Sequence, residues 1–345
     1  MRLEAPFWWY RRKGALASAL VPLGRLYGRM AEARFARGKP YRSRLPVVCI
    51  GNFTAGGGGK TPTAIAVAAL LAELGAKPAF LTRGYGGASK GPVLVKAGQS
   101  AAEVGDEPLL LAAAAPTLVS ADRAAGAHAI EATEASVIVM DDGFQNPSLA
   151  KDLSLIVVDA AVGLGNGLIM PAGPLRAPLD AQLARADALV VIGEGGKAAS
   201  LIEAFARQGK IVLKARMVPR QDRRWLGVLP VIGFAGIARP EKFFATLRNN
   251  GAWLIDTRTF PDHHRYSERD ARRLLDAAKA HNAMLVTTEK DFVRLPDEED
   301  SARGELKHRC RPFLVAVEFE DVAAVKELLA SCLTQPERGE SRGSA

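Results

Sequence analysis

Residues 54–64, TAGGGGKTPTA, join an apolar run, PVVCIGN (46–52), to an alanine- and leucine-rich stretch that continues to residue 75. The apolar run is typical of a buried strand, and the stretch after the glycines is typical of a helix. Strand, glycine-rich loop, Lys-Thr and helix, in that order, form a phosphate-binding loop (P-loop). Glycines let the backbone amides turn toward phosphate oxygens because no side chain stands in the way. The candidate nucleotide-binding residues are Thr54, Gly56, Gly57, Gly58, Gly59, Lys60 and Thr61.

The end of this loop and a second strand together predict a site for ATP and Mg²⁺. Lys60 would neutralise the β and γ phosphates, and the Thr61 hydroxyl would bind the metal. A P-loop also needs a carboxylate at a strand end, and the run VIVMDDGFQ supplies Asp141 and Asp142 directly after four apolar residues. We therefore predict both as metal ligands. Asp159 also ends an apolar run, but we interpret it as a turn former.

Short apolar runs alternate with helical stretches from residue 41 onward. This alternation predicts an α/β fold of the P-loop NTPase type, with a doubly wound, mostly parallel sheet, a second, smaller α/β domain and an N-terminal amphipathic helix. RMVPRQDRRW (216–225) interrupts the alternation and is the candidate linker. We predict a basic amphipathic membrane-surface helix over residues 1–40, a nucleotide-binding domain over 41–218, a smaller domain closing the substrate cleft over 219–334 and a disordered tail over 335–345.

The formal net charge of +9 arises from the N-terminal region, because residues 1–44 hold eleven Lys and Arg but two Glu, and the remaining charges cancel. Such a segment favours an anionic membrane surface or nucleic acid. Trp8 and Trp9 among the cations favour the membrane, and without a reader motif we expect no nucleic-acid partner. The longest charge-free run, 14–24, is shorter than the ~20 residues of a membrane span. A helix lying on the bilayer and an amphipathic helix packed on the next domain both remain open.

Four further segments are denser in polar and glycine residues than a fold alone requires. They are TRGYGG (82–87), VGDEP (104–108), GNGLIMPAGPLR (165–176) and FPDHHRY (260–266). With FWWY near the start, GNFTAGGGGKTP, DDGFQ and TTEKD, these motifs follow one another in the order and spacing of one family. The chain resembles the tetraacyldisaccharide 4'-kinases, the lipid A 4'-kinases of Gram-negative envelope synthesis, over nearly its whole length.

The resemblance implies a reaction, a substrate and a location. Members of the family transfer the γ-phosphate of ATP to the 4'-hydroxyl of a tetraacylated glucosamine disaccharide 1-phosphate. We therefore expect a monomeric, peripheral enzyme on the cytoplasmic face of the inner membrane, with the acylated lipid and the anionic membrane surface as partners. The family's loop also lacks the first glycine of the general P-loop pattern, at the position of Thr54. Asn146 and Ala177 depart from the family, which commonly has His and Glu there.

The family's proposed catalytic base corresponds to Asp106, supported by His263, and Lys60 completes the predicted catalytic set. A sugar hydroxyl is too weak an acid to ionise first, so a carboxylate near the acceptor takes its proton as the loose transition state develops. A histidine bonded to that carboxylate would orient it. Taken alone, Asp106 could instead cap a helix that begins at VGDEP, and His263 could be an ordinary satisfied histidine.

Four other polar residues are candidate substrate contacts. Arg83 and Arg176 could contact a nucleotide phosphate or the substrate 1-phosphate, or each could be a charge-paired structural arginine. Gln145 and Asn166 could contact the substrate or metal-bound water.

Two other functions fit part of the sequence. A membrane-associated P-loop ATPase switch, with no acceptor alcohol, would also combine a glycine-rich loop with a basic segment. Such switches lack a second α/β domain with the DHH segment and do not need the GPLR segment. A GTPase is disfavoured because Glu289 separates Thr288 from Lys290, which is the wrong spacing for guanine recognition.

Overall fold

The computed structural model describes residues 6–11, 13–56, 58–298 and 300–334, so Gly57 and the predicted tail lie outside the described residues. The strands are β1 (Val47–Gly51), β2 (Pro78–Thr82), β3 (Val93–Leu94), β4 (Thr117–Val119), β5 (Val137–Asp141), β6 (Leu153–Asp159), β7 (Ala188–Ile192), β8 (Ile211–Pro219), β9 (Val231–Ala235), β10 (Leu254–Thr259), β11 (Met284–Thr288), β12 (Cys310–Phe313) and β13 (Val315–Phe319). The α-helices are α1 (Ala15–Ala19), α2 (Val21–Arg37), α3 (Lys60–Glu73), α4 (Ala101–Val104), α5 (Asp106–Ala112), α6 (Arg123–Glu131), α7 (Leu179–Arg185), α8 (Ala199–Arg207), α9 (Pro240–Asn249), α10 (Glu268–Ala280), α11 (Glu289–Phe292), α12 (Ala302–Arg309) and α13 (Val322–Leu333).

Nine of these strands form a large sheet in the order β13-β8-β7-β6-β1-β5-β2-β4-β3. Neighbours run parallel except for β13 with β8 and β3 with β4, the pairs at the two edges. The helices α3 and α13 pack on one face, and α6, α7 and α8 pack on the other. Because both faces are covered, the central strands are continuous apolar runs. The predicted α/β class with a mostly parallel sheet is confirmed.

The predicted P-loop lies between β1 and α3, near the centre of this sheet. β5 and β6 flank β1 in parallel, so Asp141 at the end of β5 and Asp159 at the end of β6 lie at the sheet edge from which the loop leaves. Gly59 has a φ of +90°, and a Cβ there would lie 2.7 Å from the side chain of Ile192. Glycine is therefore required for α3 to begin at Lys60.

A second sheet has the order β10-β9-β11-β12, and all its neighbours run parallel. The helices α10 and α12 pack on one face of it and α9 packs on the other, so it has its own apolar core. We call this part the small-sheet unit and the remainder the large-sheet unit.

The chain returns to the large sheet after β12. PFLVAVEFE (312–320) reads as one apolar run, but it divides at Leu314 between β12 of the small sheet and β13 of the large sheet. Val317 and Phe319 of β13 join the large core, and α13 packs beside α3. The smaller domain predicted over 219–334 therefore needs correction at its C-terminal end, since β13 and α13 belong to the large-sheet unit. The predicted linker also differs, because β8 extends into it as far as Pro219.

The basic N-terminal segment forms α1 and α2, which pack on the large-sheet unit. Gly24 and Gly28 approach Ile169 closely, and Arg185 of α7 donates two hydrogen bonds to Glu32, at 3.0 and 3.1 Å. One side of α2 remains apolar and exposed; this apolar stripe consists of Leu23, Leu26, Tyr27 and Met30. Among the residues that the structure describes, no helix is long and apolar enough to cross a membrane.

Candidate active site

The predicted metal ligands Thr61 and Asp141 are in contact. The Thr61 hydroxyl at the start of α3 donates to Asp141 Oδ2 at 3.0 Å. Asp141 is completely buried, and its Oδ1 accepts no hydrogen bond within the described ranges. Burial first, and then the charges of Glu107 and Asp142, raise the pKa of Asp141 to about 7. A buried carboxylate oxygen without a partner, beside a hydroxyl oxygen, fits the hard oxygen ligands that Mg²⁺ requires.

Asp142 has different surroundings from its neighbour Asp141. It adopts a φ of +51°, and its Oδ1 lies 3.6 Å from Lys60 Nζ and 3.2 Å from Arg176 Nη1. Burial opposes its ionisation, but the positive charges of Lys60 and Arg176 hold its pKa well below the usual range. Arg176 also donates to Gln145 Oε1 at 3.2 Å. Arg176 is thus charge-paired here, while its contact with a substrate anion, like that of Gln145, stays a prediction.

The structure brings Asp106 and His263 together although 157 residues separate them in sequence. Asp106 is the first residue of α5, and its Oδ2 lies 3.0 Å from His263 Nδ1 in the small-sheet unit. The same oxygen accepts hydrogen bonds from Nε (2.9 Å) and Nη2 of Arg294, and Oδ1 accepts from the Glu107 amide at 3.0 Å. Burial opposes ionisation of Asp106, but His263, Arg294 and Lys290 hold its pKa far below normal. We call Asp106 and His263 the acceptor pair.

One cleft of about 1610 Å³ between the two sheets contains both halves of the predicted site. Lys60, Thr61 and Asp142 line it from the large-sheet unit, and His263 lines it from the small-sheet unit. Ligand sites commonly occupy about 300–1,000 Å³, so this cleft has room for a nucleotide and a sugar headgroup side by side.

Two arginines on the large-sheet unit face this cleft. Arg83, a predicted substrate contact, lines it together with Arg123, which the sequence analysis did not select. Arg123 is 2% exposed, and no residue in the described part of the chain accepts a hydrogen bond from its Nε. Burial and then the charge of Arg83 lower the pKa of Arg123 to about 10. Arg83 is exposed, so one buried and one exposed cation face the same cleft, and such cations favour an anion between them.

Comparison with known proteins agrees with this geometry. The family model described as tetraacyldisaccharide-1-P 4'-kinase (LpxK) matches residues 16–334. The chain belongs to this kinase family. It is 48% identical to a tetraacyldisaccharide 4'-kinase of Rhodopseudomonas palustris, over 96% of this chain and 97% of that one. It is 51% identical to that of a Methylobacterium strain, over 96% and 98%.

A solved structure supports the same fold. LpxK from Aquifex aeolicus, solved in complex with ATP, superposes with a TM-score of 0.72 at 27% identity, covering 92% of this chain and 99% of that one. This kinase therefore has the α/β architecture of an ATP-binding relative, and its use of ATP follows from its family.

The predicted substrate contact Asn166 makes structural hydrogen bonds in this kinase. Its Nδ2 donates to the carbonyl oxygens of Ala172 at 2.9 Å and Trp8 at 3.3 Å, and its Oδ1 accepts from the Leu168 amide at 3.0 Å. These bonds hold the 165–176 loop against the N-terminal segment. A contact between Asn166 and the substrate stays a prediction.

The interpretation of Asp159 as a turn former was incomplete. Its Oδ1 does accept from the Ala161 amide at 2.9 Å, but its Oδ2 also pairs with Arg239 and Lys242 at the start of α9. Asp159 therefore joins the large sheet to the small-sheet unit. No local pattern indicates this pairing, since 80 residues separate Asp159 from Arg239.

Two further cations, which were not among the predicted site residues, reach the start of α5 from the small-sheet unit. Lys290 donates to Glu107 at 2.6 Å, and Arg294 bonds Asp106. Lys290 lies within the TTEKD motif and Arg294 follows it at helical spacing, which is the one signal that could have selected them.

Proposed function

We propose that this kinase transfers the γ-phosphate of ATP to the 4'-hydroxyl of a tetraacylated glucosamine disaccharide 1-phosphate in lipid A biosynthesis. The main support is that Lys60 of the P-loop and His263 of the acceptor pair line one cleft. The relatives at about half identity carry the name of this reaction. A switch ATPase without an acceptor would have no use for the acceptor pair.

The nucleotide would bind at the P-loop. The N-terminus of α3 and the Lys60 side chain lie at this loop, and together with the loop amides they would hold the β and γ phosphates. The small-sheet unit, approaching from the other side through His263, would close the cleft and exclude water from the transferring phosphoryl group.

Thr61 and Asp141 would hold Mg²⁺ directly, because Asp141 Oδ1 has no hydrogen-bond donor among the described residues. Bound there, the ion would neutralise charge that develops on the phosphate oxygens. Asp142 would have another role. Since it pairs with Lys60 and Arg176, it would keep both cations directed into the cleft.

The acceptor pair would receive the proton of the 4'-hydroxyl. Asp106 is only 3% exposed, whereas the His263 side chain is 18% exposed and lines the cleft. In this conformation His263 is therefore the member that faces an acceptor, and Asp106 lies behind it. An ionised Asp106 would fix the His263 ring and stabilise it when it becomes cationic.

The apolar stripe of α2 would rest on the anionic inner face of the membrane, where the acyl chains of the substrate remain. Exposed aromatic and aliphatic side chains beside Arg25 and Arg29 suit the interface between water and lipid. Each cation near an anionic surface contributes about 1 kcal/mol of attraction. The cytoplasmic face is proposed because ATP is available there.

Purified kinase with γ-labelled ATP and the acylated disaccharide 1-phosphate tests the proposal. We expect the label to move to the lipid at the 4' position and to depend on Mg²⁺. Label recovered only as inorganic phosphate would contradict the proposal and support the ATPase switch.

A further inference from the structure

Arg294, which follows α11 in the small-sheet unit, is held rigidly. Its side chain is 5% exposed, and its Nη1 donates to the Gly236 carbonyl at 2.7 Å and to Asp291 Oδ1 at 2.8 Å. Asp291 is itself fixed, because the Tyr266 hydroxyl donates to it at 2.9 Å and the Thr288 hydroxyl donates at 2.6 Å. One edge of the guanidinium is thus anchored within the small-sheet unit.

The other edge of the guanidinium reaches the large-sheet unit. Arg294 Nε and Nη2 both donate to Asp106 Oδ2, the oxygen that also contacts His263 Nδ1. The Gly236 carbonyl that accepts from Arg294 also accepts from the His263 backbone amide at 3.0 Å. Arg294 and His263 therefore share one anchor, Gly236, and one target, Asp106.

We propose that Arg294 is a positioning residue for phosphoryl transfer, which sets Asp106 against His263 when the small-sheet unit closes on the large-sheet unit. The inference rests on the proposed role of the acceptor pair. It assigns Arg294 no contact with ATP or lipid. Its planar guanidinium donates hydrogen bonds to the small-sheet unit from one edge and to the large-sheet unit from the other. A lysine ammonium cannot reproduce this geometry.

The charge of Arg294 supports this role. Without it, Asp106 would remain buried with fewer cations, so its affinity for a proton would rise. The charged and titratable groups around the acceptor pair are Glu107 on α5, Tyr85 and Arg265 beside the cleft, Asp262 next to His263, and Lys290, Asp291 and Arg294 on and after α11. Once the charge of Arg294 is removed, Lys290 would still be a cation near Asp106, so the proton affinity of Asp106 would rise only in part.

Arg294→Met and Arg294→Lys test the proposal. We expect kcat to fall about 100-fold in Arg294→Met, the scale of a roughly 1 Å misplacement, with KM for ATP within about twofold of wild type. Arg294→Lys keeps the charge but loses the fork, so we expect a smaller fall of about tenfold. The acid limb of kcat/KM should move to higher pH in Arg294→Met and move little in Arg294→Lys.

Arg303→Met is the matched control, because Arg303 of α12 also bonds two carboxylates, Glu268 and Glu298, but away from the cleft. We expect this control to keep wild-type kcat and pH profile. Wild-type kcat in Arg294→Met would overturn the proposal. A second pattern would also overturn it. If both Arg294 variants lose ATP affinity and melting temperature equally, and the acid limb of the kcat/KM pH profile does not move, Arg294 forms a purely structural ion pair.

Asp106→Asn separates this inference from the proposed function. If Asp106→Asn is impaired and Arg294→Met is not, the Arg294 role fails and the acceptor pair stands. If Asp106→Asn itself retains wild-type turnover, the acceptor pair fails and the Arg294 role fails with it.

Discussion

Asp141 and Asp142 are consecutive residues whose carboxylates have opposite electrostatic surroundings. Asp141 is buried beside the Thr61 hydroxyl, and burial raises its pKa, whereas Lys60 and Arg176 hold the pKa of the partly exposed Asp142 low. The end of β5 thus carries the Asp141 oxygen, which has no hydrogen-bond donor among the described residues, beside the Asp142 carboxylate, which already pairs with two cations. The pair supports distinct roles for the two residues, which substitution can separate.

Asp141→Asn should raise the Mg²⁺ concentration required for half-maximal activity by at least about 10–100-fold, the scale on which even residues behind the ligands affect metal affinity, because the proposed ligand oxygen becomes a neutral amide. Asp142→Asn should mainly lower kcat, since it frees Lys60 and Arg176 from their partner. Titrating Mg²⁺ at saturating ATP measures both effects. Equal shifts in the Mg²⁺ requirement would contradict the division of roles.

Asp141→Asn should also stabilise the protein when nucleotide and metal are absent. A carboxyl whose pKa is raised in the folded state contributes its full stability only below its unfolded pKa, and loses that contribution as the pH rises through the folded value. At pH 8 an ionised Asp141 therefore destabilises the fold, on the order of 1 kcal/mol or more. Melting temperatures should increase more at pH 8 than at pH 5; an equal change at both would rule out this cause.

Asp159→Asn should loosen the small-sheet unit. Arg239 and Lys242 would lose the carboxylate that they share. Because that carboxylate is buried but both cations are partly exposed, breaking the pairing costs about 1 kcal/mol. Amide hydrogen exchange in α9 should become faster, while exchange in α3 stays the same. Glu318→Gln serves as a control, because it removes the exposed pair with Arg216. Unchanged exchange in α9 would count against Asp159 as a contact between the units.

Leu23→Ser combined with Leu26→Ser should weaken binding to anionic vesicles about tenfold or more, since both side chains belong to the apolar stripe. KM for the lipid should rise while KM for ATP stays constant. Leu94→Ser, which changes a similarly exposed leucine on β3, is the control. If vesicle binding is the same in all three proteins, the stripe does not contact the membrane.

The parts of the site that lie close together in sequence could be predicted. The P-loop and the Asp141–Asp142 pair each follow one buried strand, so local pattern was sufficient to find them. Asp106 and His263 needed the family resemblance, because nothing local indicates that α5 meets the 260–266 loop.

The contacts made by Arg294, Arg123 and Asp159 could not be predicted in the same way. Each depends on how two distant elements approach, and an arginine after a helix or an aspartate after a strand is ordinary in sequence. The return of β13 to the large sheet was missed for a related reason: the break at Leu314 lies inside a continuous apolar run.

Single-turnover transfer from a preformed ATP complex tests the central claim most directly. With wild-type kinase and Asp106→Asn, both loaded with γ-labelled ATP and Mg²⁺ and mixed with the acylated disaccharide, we predict equal nucleotide affinity. The rate at which label reaches the lipid should fall at least about 100-fold in the variant. Equal transfer rates, or a loss of nucleotide binding that accounts for the whole defect, would contradict the claim that the P-loop and the acceptor pair act together across one cleft.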